Sequence, residues 1–581
     1  MIIAENSVLR LLVLVAGFIL AGCGNGTTNV NEDMEKMWKN VTVPSKTPGA
    51  ALAWIERNAE NWDSCIVNLN GGTYELPNNN DIFCKGNFVR IILRADSPVT
   101  ITLISDQQGH LIGVGKNIAL ILSNNITLKG IPNNTEALVI IYDKGKLEMR
   151  NGSRIFNNKN PSNVGGAVLV YNGFFTMEGG AIDNNESRQG GGVLIVDQST
   201  FTMTGGEIKN NKALGGGGVA VADKSTFTIT SGTIEHNEAG EVGGGVLLAQ
   251  QSTLAMTNGE IKNNKALGGG GVAVVDKSTF TITNGTIEHN EAGEIGGGVL
   301  LAQQSTLAMI NGEIKNNKAQ GGGGVCILES NFTMSDNALI NTNESGSLGG
   351  GGVRADQGST FTMSGGTIEI NKTTAIGGGV LVINQSTFVM TRGTIKNNSA
   401  KEGGGGILVA NQAILTMSGS AQIDTNTAGD WGGGGVQILQ DSTFTMNGGI
   451  IKNNNARGGS GVFVGNQSIF TMSDNAQIDT NTAGDWGGGG VLVFQNSIFT
   501  MDGGIIKNNI TQTYGGGVFL SESIFRKNGQ SVIESNTASS NGNATYAYPK
   551  YRNSDIPAKE DIFALWNTST NSYDYEGIWD N

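Results

Sequence analysis

Two landmarks recur through most of the chain at one spacing, and this periodicity restricts the fold more than any other feature of the sequence. The first is a glycine cluster followed by Val or Ile. It falls at Val168, Val193, Val219, Val246, Val272, Val299, Val325, Val353, Val380, Ile407, Val436, Val462, Val491 and Val518. The second is Ile-x-x-Asn, which places Asn158, Asn185, Asn211, Asn237, Asn264, Asn290, Asn317, Asn343, Asn371, Asn398, Asn426, Asn454, Asn481, Asn509 and Asn536. Both keep a step of about 27 residues, the behaviour of a solenoid coil. The 89 glycines come in clusters and not at every third position, which excludes collagen. Hydrophobic residues make up 38% of the chain and recur in register, which excludes disorder.

One repeat shows the predicted coil. Val219-Ala220-Val221 reads as strand A and Asp223-Lys224-Ser225 as a polar turn. Phe227-Thr228-Ile229 reads as strand B, Ser231-Gly232 as a second turn, and Ile234 as strand C, closed by Asn237. Three short strands per coil stack in parallel on the next coil at about 4.8 Å. The expected fold is therefore all-β: a single-stranded, right-handed parallel β-helix, or β-solenoid.

Inward residues then form ladders. Strand B supplies Phe175/Met177, Phe201/Met203, Leu254/Met256, Phe361/Met363, Phe444/Met446 and Phe499/Met501, a core stripe that a flexible thioether fills well. Asn211, Asn237, Asn264, Asn290, Asn317 and Asn398 are expected at a tight turn, each amide bonding to the next coil's amide. The residue after the strand C isoleucine runs Asp183, Lys209, Glu235, Lys262, Glu288, Lys315, Asn341, Glu369, Lys396, Asp424, Lys452, Asp479, Lys507, Glu534. Opposite charges become neighbours when coils stack, and each such pair stabilises by about 0.2–1 kcal/mol. Residues 208–260 and 261–313 are nearly identical, and 475–486 echoes 420–431, so coil pairs have been copied.

The repeats are flanked by other segments. Leu11 to Ala21 is nearly all apolar and ends in Leu20-Ala21-Gly22-Cys23, which resembles the lipobox of bacterial lipoproteins. The resemblance implies cleavage before Cys23 and lipidation at Cys23; Gly24, in place of Asp, favours outer-membrane or cell-surface display in a Gram-negative-type bacterium. Thr47-Pro48 followed by Leu52, Ile55 and Ala59 predicts a short amphipathic capping helix. The organisation is thus a signal peptide at 1–22, a lipid-anchored linker at 23–46, a cap and first coils at 47–160, regular repeats at 161–540, and a C-terminal cap or tail at 541–581. In an exported chain Cys65 and Cys84 could close a disulfide.

The glycine-aliphatic and Ile-x-x-Asn pair resembles the repeats of the chlamydial polymorphic outer membrane protein family over roughly 150–537, and more widely the pectin-lyase-like superfamily of β-helices. Ile replaces that family's Phe, and its C-terminal membrane barrel has no counterpart in the sequence. The resemblance implies adhesion, though a shared fold hosts many functions.

Chemistry is sparse in the sequence. His236 and His289 occupy equivalent places in copied coils, so both read as surface residues beside the unrelated His110. Asp197, Asp223, Asp276 and Asp356 recur at the A–B turn as solvated turn residues. Neither a catalytic constellation, a metal site nor a cofactor motif is read. The formal charge of −13 argues against nucleic acid. The alternate residues of strand A are apolar and expected to face outward: Leu194, Leu247, Leu300, Leu381, Leu408, Phe463, Leu492 and Phe519, interrupted by Arg354. Exposed, such a stripe marks a partner or self-association surface. Trp431 and Trp486 stand beside it in matching loops, where indoles can stack on sugar rings. The outer Thr-x-Thr pairs of strand B are ordinary β-formers on a wet face. The expected function is a surface-displayed lipoprotein acting as an adhesin or structural rod, held to the membrane by its lipid, with a host or neighbouring-cell protein or glycan as partner. The alternative is a polysaccharide lyase or glycoside hydrolase.

Overall fold

The computed structural model describes residues 37–84, 86–528, 530–540, 542–543 and 545–547, with the backbone of short strands at 566–567, 572–573 and 578–579. The signal segment, Cys23 and most of 541–581 lie outside the described residues. The chain divides into two compact units, residues 1–293 and 294–581, and both are parallel β-solenoids made from the same three-sided coil.

The coil of 219–242 shows the pattern in the first unit. Strand A is Val219–Val221, strand B Thr226–Ile229 and strand C Thr233–Glu235. Each pairs in parallel with its equivalent one coil on, as in Phe227↔Leu254 and Ile234↔Ile261. Strands B and C belong to one sheet, since Thr360–Glu369 and Thr387–Lys396 in the second unit run through both without a break. The third side comes from a segment that the sequence pattern does not reveal, Glu238–Val242, here strand D. Its glycine and two glutamates are poor strand formers, and only pairing with neighbouring coils makes it extended.

The turns explain the composition. Asp223 and Lys224 link A to B with φ of 54° and 58°, the left-handed region, which Asp tolerates and Lys resists. The D–A corner is where glycine is required. Gly216 has φ of 63°, and a Cβ on Gly218 would lie 2.7 Å from the carbonyl oxygen of Gly245 in the next coil.

The core consists of rows. Phe175, Phe201 and Phe227 stack face to face with centroids 4.4 and 4.5 Å apart, and Phe444, Phe470, Phe499 and Phe525 repeat this in the second unit. A buried asparagine row runs beside them. Asn211 Nδ2 donates to Asn237 Oδ1, Asn237 Nδ2 to Asn264 Oδ1, and Asn264 Nδ2 to Asn290 Oδ1, each at 3.0 Å. Asn317 and Asn398 do the same toward Asn343 and Asn426 in the second unit. A serine row closes the A–B turn, the backbone N–H of Ser225 donating to Ser252 Oγ at 3.2 Å. These rows satisfy buried backbone groups that the turns would otherwise orphan.

At the N-terminal end, helix α1 (Pro48–Asn58) buries Pro48, Ala51, Leu52 and Ile55. It packs against the strands Asp63–Leu69 and Gly72–Leu76. Ala59 is the C-cap residue, half-buried, so it does not share the buried face with Leu52 and Ile55. In the second unit Thr545–Ala547 pairs in parallel with Val518–Ser521, and Ile578–Trp579 adds to it antiparallel.

Candidate functional site

The strand A stripe is not a free surface. Leu194, Leu247, Leu300, Leu381, Leu408, Phe463 and Leu492 are all buried, and Phe519 is half-buried. This corrects the outward-facing reading. The alternation is right, but these side chains fold over the glycine corner of the preceding coil, where a Cβ on Gly215 would lie 3.0 Å from Leu247 Cδ2. Ile376, Ile383 and Leu439 close over Leu381 and Leu408. Strand A is apolar on both faces because it is covered on both. Arg354 is buried in the stripe with its guanidinium 2.6 Å from Asp356, and Asn384 also donates to that carboxylate, at 2.7 Å.

Two exposed indoles stand on the D side of the second unit, Trp431 in the loop after the strand Thr427–Ala428 and Trp486 within the strand Thr482–Gly487. Trp431 is 50% exposed and Trp486 37%. Each lies in Thr-Ala-Gly-Asp-Trp-Gly, and both segments are longer than the intervening one: Asn426 to Val436 and Asn481 to Val491 against Asn454 to Val462. The extra residues carry the indoles outward. Trp486 is seated on Gly458, where a Cβ would lie 2.6 Å from its own Cβ. Arg457, from the intervening D strand Asn455–Gly458, grips Asp485 in a two-pronged pair (3.0 and 2.7 Å) and lies 4.9 Å from the Trp486 ring centroid. Hydrogen bonding to Arg457 holds the Asp485 carboxyl below its usual range. A shallow groove of about 320 Å³ crosses the neighbouring D strands, lined by Asp430, Asn455, Arg457, Thr482, Gly484 and Gln512 but by neither indole.

A second cluster, in the first unit, has no precursor in the sequence reading. His110 is buried, with Nδ1 2.8 Å from Glu136 Oε2 and Nε2 3.1 Å from Asp81 Oδ1. Tyr142 donates to the same Asp81 oxygen at 3.3 Å, and burial followed by the Asp81 charge pushes its phenol up to about 12. The signal was spacing: Asp81, His110 and Glu136 lie 29 and 26 residues apart, one coil each. Both ring nitrogens are engaged, so the imidazole offers no free base to a substrate.

Cys65 and Cys84 are buried thiols, not a disulfide, pushed up to about 12 and about 11 by burial above all, with the two thiols close enough to affect each other. Cys326 is a third buried thiol, behind Arg354 and Asp356. His236 and His289 are exposed at left-handed turn positions. Among the described residues, no group of His, Cys, Asp and Glu is arranged to hold a metal ion, and no helix is long and apolar enough to cross a membrane.

Stacked parallel coils, inward ladders and glycine corners define a β-solenoid. The right-handed β-helix region family matches residues 64–287, 217–395, 270–431 and 378–556, and the chain belongs to that family. No curated protein matches the chain.

Proposed function

We propose that this protein is a lipid-anchored, surface-displayed adhesin or structural binding protein. The anchor is the lipobox-like Leu20-Ala21-Gly22-Cys23, with outer-membrane or cell-surface display following from Gly24. The polymorphic-outer-membrane-protein-like repeats agree with adhesion. The observation that carries the reading is the pair of matching Thr-Ala-Gly-Asp-Trp-Gly segments that present the indoles of Trp431 and Trp486 to solvent two coils apart. Large exposed indoles gain little from water and much from a partner. The partner is a host or neighbouring-cell protein or glycan.

A carbohydrate-active enzyme is the second reading, favoured by Asp81, His110 and Glu136 as a cluster that breaks the repeat. The closed hydrogen bonding of His110 places it behind. The test is made on cells expressing the chain. A metabolic palmitate label lost in Cys23→Ser, cleavage by added protease on intact cells, and capture of cell-surface material without product release support the proposal. Absence of label with an intracellular, protease-protected chain refutes it. Glycan cleavage abolished by Asp81→Asn points instead to the enzyme.

A further inference from the structure

We propose that the Trp431 and Trp486 segments form a binding site for a neutral extended glycan; this rests on the surface-binding reading above and names its ligand class. The two indoles sit two coils apart, about 10 Å along the stack. That is about the rise of one disaccharide in an extended β-linked chain, so alternate sugars can meet successive rings. The groove beside them, on the same D strands, is polar and concave. Asp430, Asn455, Thr482 and Gln512 supply carboxylate, amide and hydroxyl groups along the groove, the complement that sugar hydroxyls need.

The charge of the patch selects the ligand. Arg457 is committed to Asp485, and Asp430 adds a carboxylate, so the groove is net negative in a chain of formal charge −13. Uronates, sulfated sugars and phosphates are disfavoured there. The same ion pair fixes the platform. Arg457 stacks on Trp486 while held at two points by Asp485, and Gly458 beneath gives the indole its seat. A pre-oriented ring loses little side-chain freedom on binding. Trp431 is held through its backbone, donating to the Glu402 carbonyl at 2.8 Å and accepting from Gln437 Nε2 at 3.0 Å.

The experiment uses the full chain in non-ionic detergent and a panel of hexasaccharides: β-1,4-linked glucose, N-acetylglucosamine, xylose and mannose, with oligogalacturonate and a sulfated oligosaccharide as acidic members. Binding is read by calorimetry and by indole fluorescence. At least one neutral member is expected to bind, weakened about tenfold or more by Trp431→Ala or Trp486→Ala and further in the double variant. Trp486→Phe keeps an aromatic face and is expected to retain part of the affinity, with an unchanged melting profile showing that the coils are intact. Binding that survives the double variant overturns the proposal. So does a panel on which only acidic members bind, or none. If the panel is silent while the chain on cells still captures cell-surface material, the glycan assignment fails and the surface-binding reading stands.

Discussion

Replacing Asn237 by alanine tests whether the asparagine row holds the coils together. Asn237 Nδ2 donates to Asn264 Oδ1 at 3.0 Å and to the Ile208 carbonyl at 2.9 Å. Its Oδ1 accepts from the backbone N–H and the Nδ2 of Asn211, both at 3.0 Å. Alanine removes four bonds. Asn264 Oδ1 keeps the backbone N–H of residue 237, and Asn211 Nδ2 keeps its bond to the Ile182 carbonyl. The Asn211 N–H and the Ile208 carbonyl lose these partners in a buried row. At about 1–3 kcal/mol for each buried group left unmade, plus the weakened amides, the cost is about 3–6 kcal/mol. A long repeat array need not unfold in one step, so a melting temperature is a poor gauge. Hydrogen exchange read by mass spectrometry on the peptides around 208–213 is the suitable assay. The expected acceleration is about a hundred- to ten-thousand-fold, from 1.4 kcal/mol per factor of ten. The neighbouring asparagine provides the control. Asn210 is exposed with φ of 55°, so Asn210→Gly removes no ladder bond and leaves exchange within a few-fold of wild type. If Asn237→Ala accelerates exchange less than tenfold, or Asn210→Gly matches it, the row is decoration and the reasoning fails.

Three further outcomes follow from the same geometry. Gly218→Ala places a Cβ 2.7 Å from the Gly245 carbonyl oxygen, whereas Gly358→Ala, at φ of 70° with open space around it, bears only the backbone penalty. Exchange should rise about a hundredfold or more near Gly245 in the first, and chemical denaturation of the second unit should shift by only about 1 kcal/mol in the other. In reducing buffer, the Cys65 and Cys84 thiols have folded-state values of about 12 and about 11 against an ordinary 9.0. The fold favours the neutral thiol, so this stability is whole below about pH 9 and is lost as pH rises toward 12. The first coils should therefore loosen across that window, less steeply in a Cys65→Ala variant, and both thiols should resist iodoacetamide at pH 8 until denatured. Finally, deleting the coil pair 208–260 joins equivalent positions and keeps Asp183 beside a lysine, now Lys262. Deleting the single coil 208–233 puts Asp183 beside Glu235 and Glu186 beside Glu238. Despite losing fewer residues, the single-coil deletion should be the less stable in denaturant, by about 1–3 kcal/mol, with the gap shrinking in salt; equal stabilities would count against the charge rows.

The legible part of this chain was whatever repeats with period two inside a strand or with the coil along the sequence. Phe227, Ile229, Ile234 and Asn237 announce their burial by recurring. Strand D did not, because Glu238-Ala239-Gly240-Glu241 carries no apolar alternation; pairing imposes its shape. The stripe from Leu247 to Phe519 was placed on the correct side of strand A and assigned the wrong exposure, because alternation reports direction and not what lies in that direction. The His110 cluster was hidden for another reason: its members are neighbours only through stacking, so the coil step has to be known before the contact can be read.

The charge rows explain why coils were copied in twos. In the second coil row, missed in the sequence, the residue after each ladder asparagine runs Lys159, Glu186, Lys212, Glu238, Lys265, Glu291, Lys318, Glu344, Lys372. Within each unit its members meet as ion pairs: Lys212 with Glu238 at 2.9 Å, Lys265 with Glu291 at 3.2 Å, Lys318 with Glu344 at 3.1 Å. The row on strand C behaves less simply. Lys396 reaches Glu369 across coils at 3.1 Å, but Lys209, Lys262 and Lys315 turn to Glu207, Glu260 and Glu313 in their own strands. The cross-coil acids still act on them at longer range, Glu235 and Asp183 both raising the Lys209 amine. Both rows have a period of two coils, whereas the asparagine, phenylalanine and glycine rows have a period of one. The hydrophobic and amide ladders would accept any whole number of new coils; the charges accept only an even number without setting like against like. Where the strand C row does slip phase, between Lys315 and Glu369, the intervening member is the neutral Asn341, and its side-chain amide donates to Glu313 at 3.1 Å. A lattice of this kind lengthens without redesign, and one stretch of it differs from another where single residues break the rows, as Arg354 does inside strand A and Trp431 and Trp486 do on the D side.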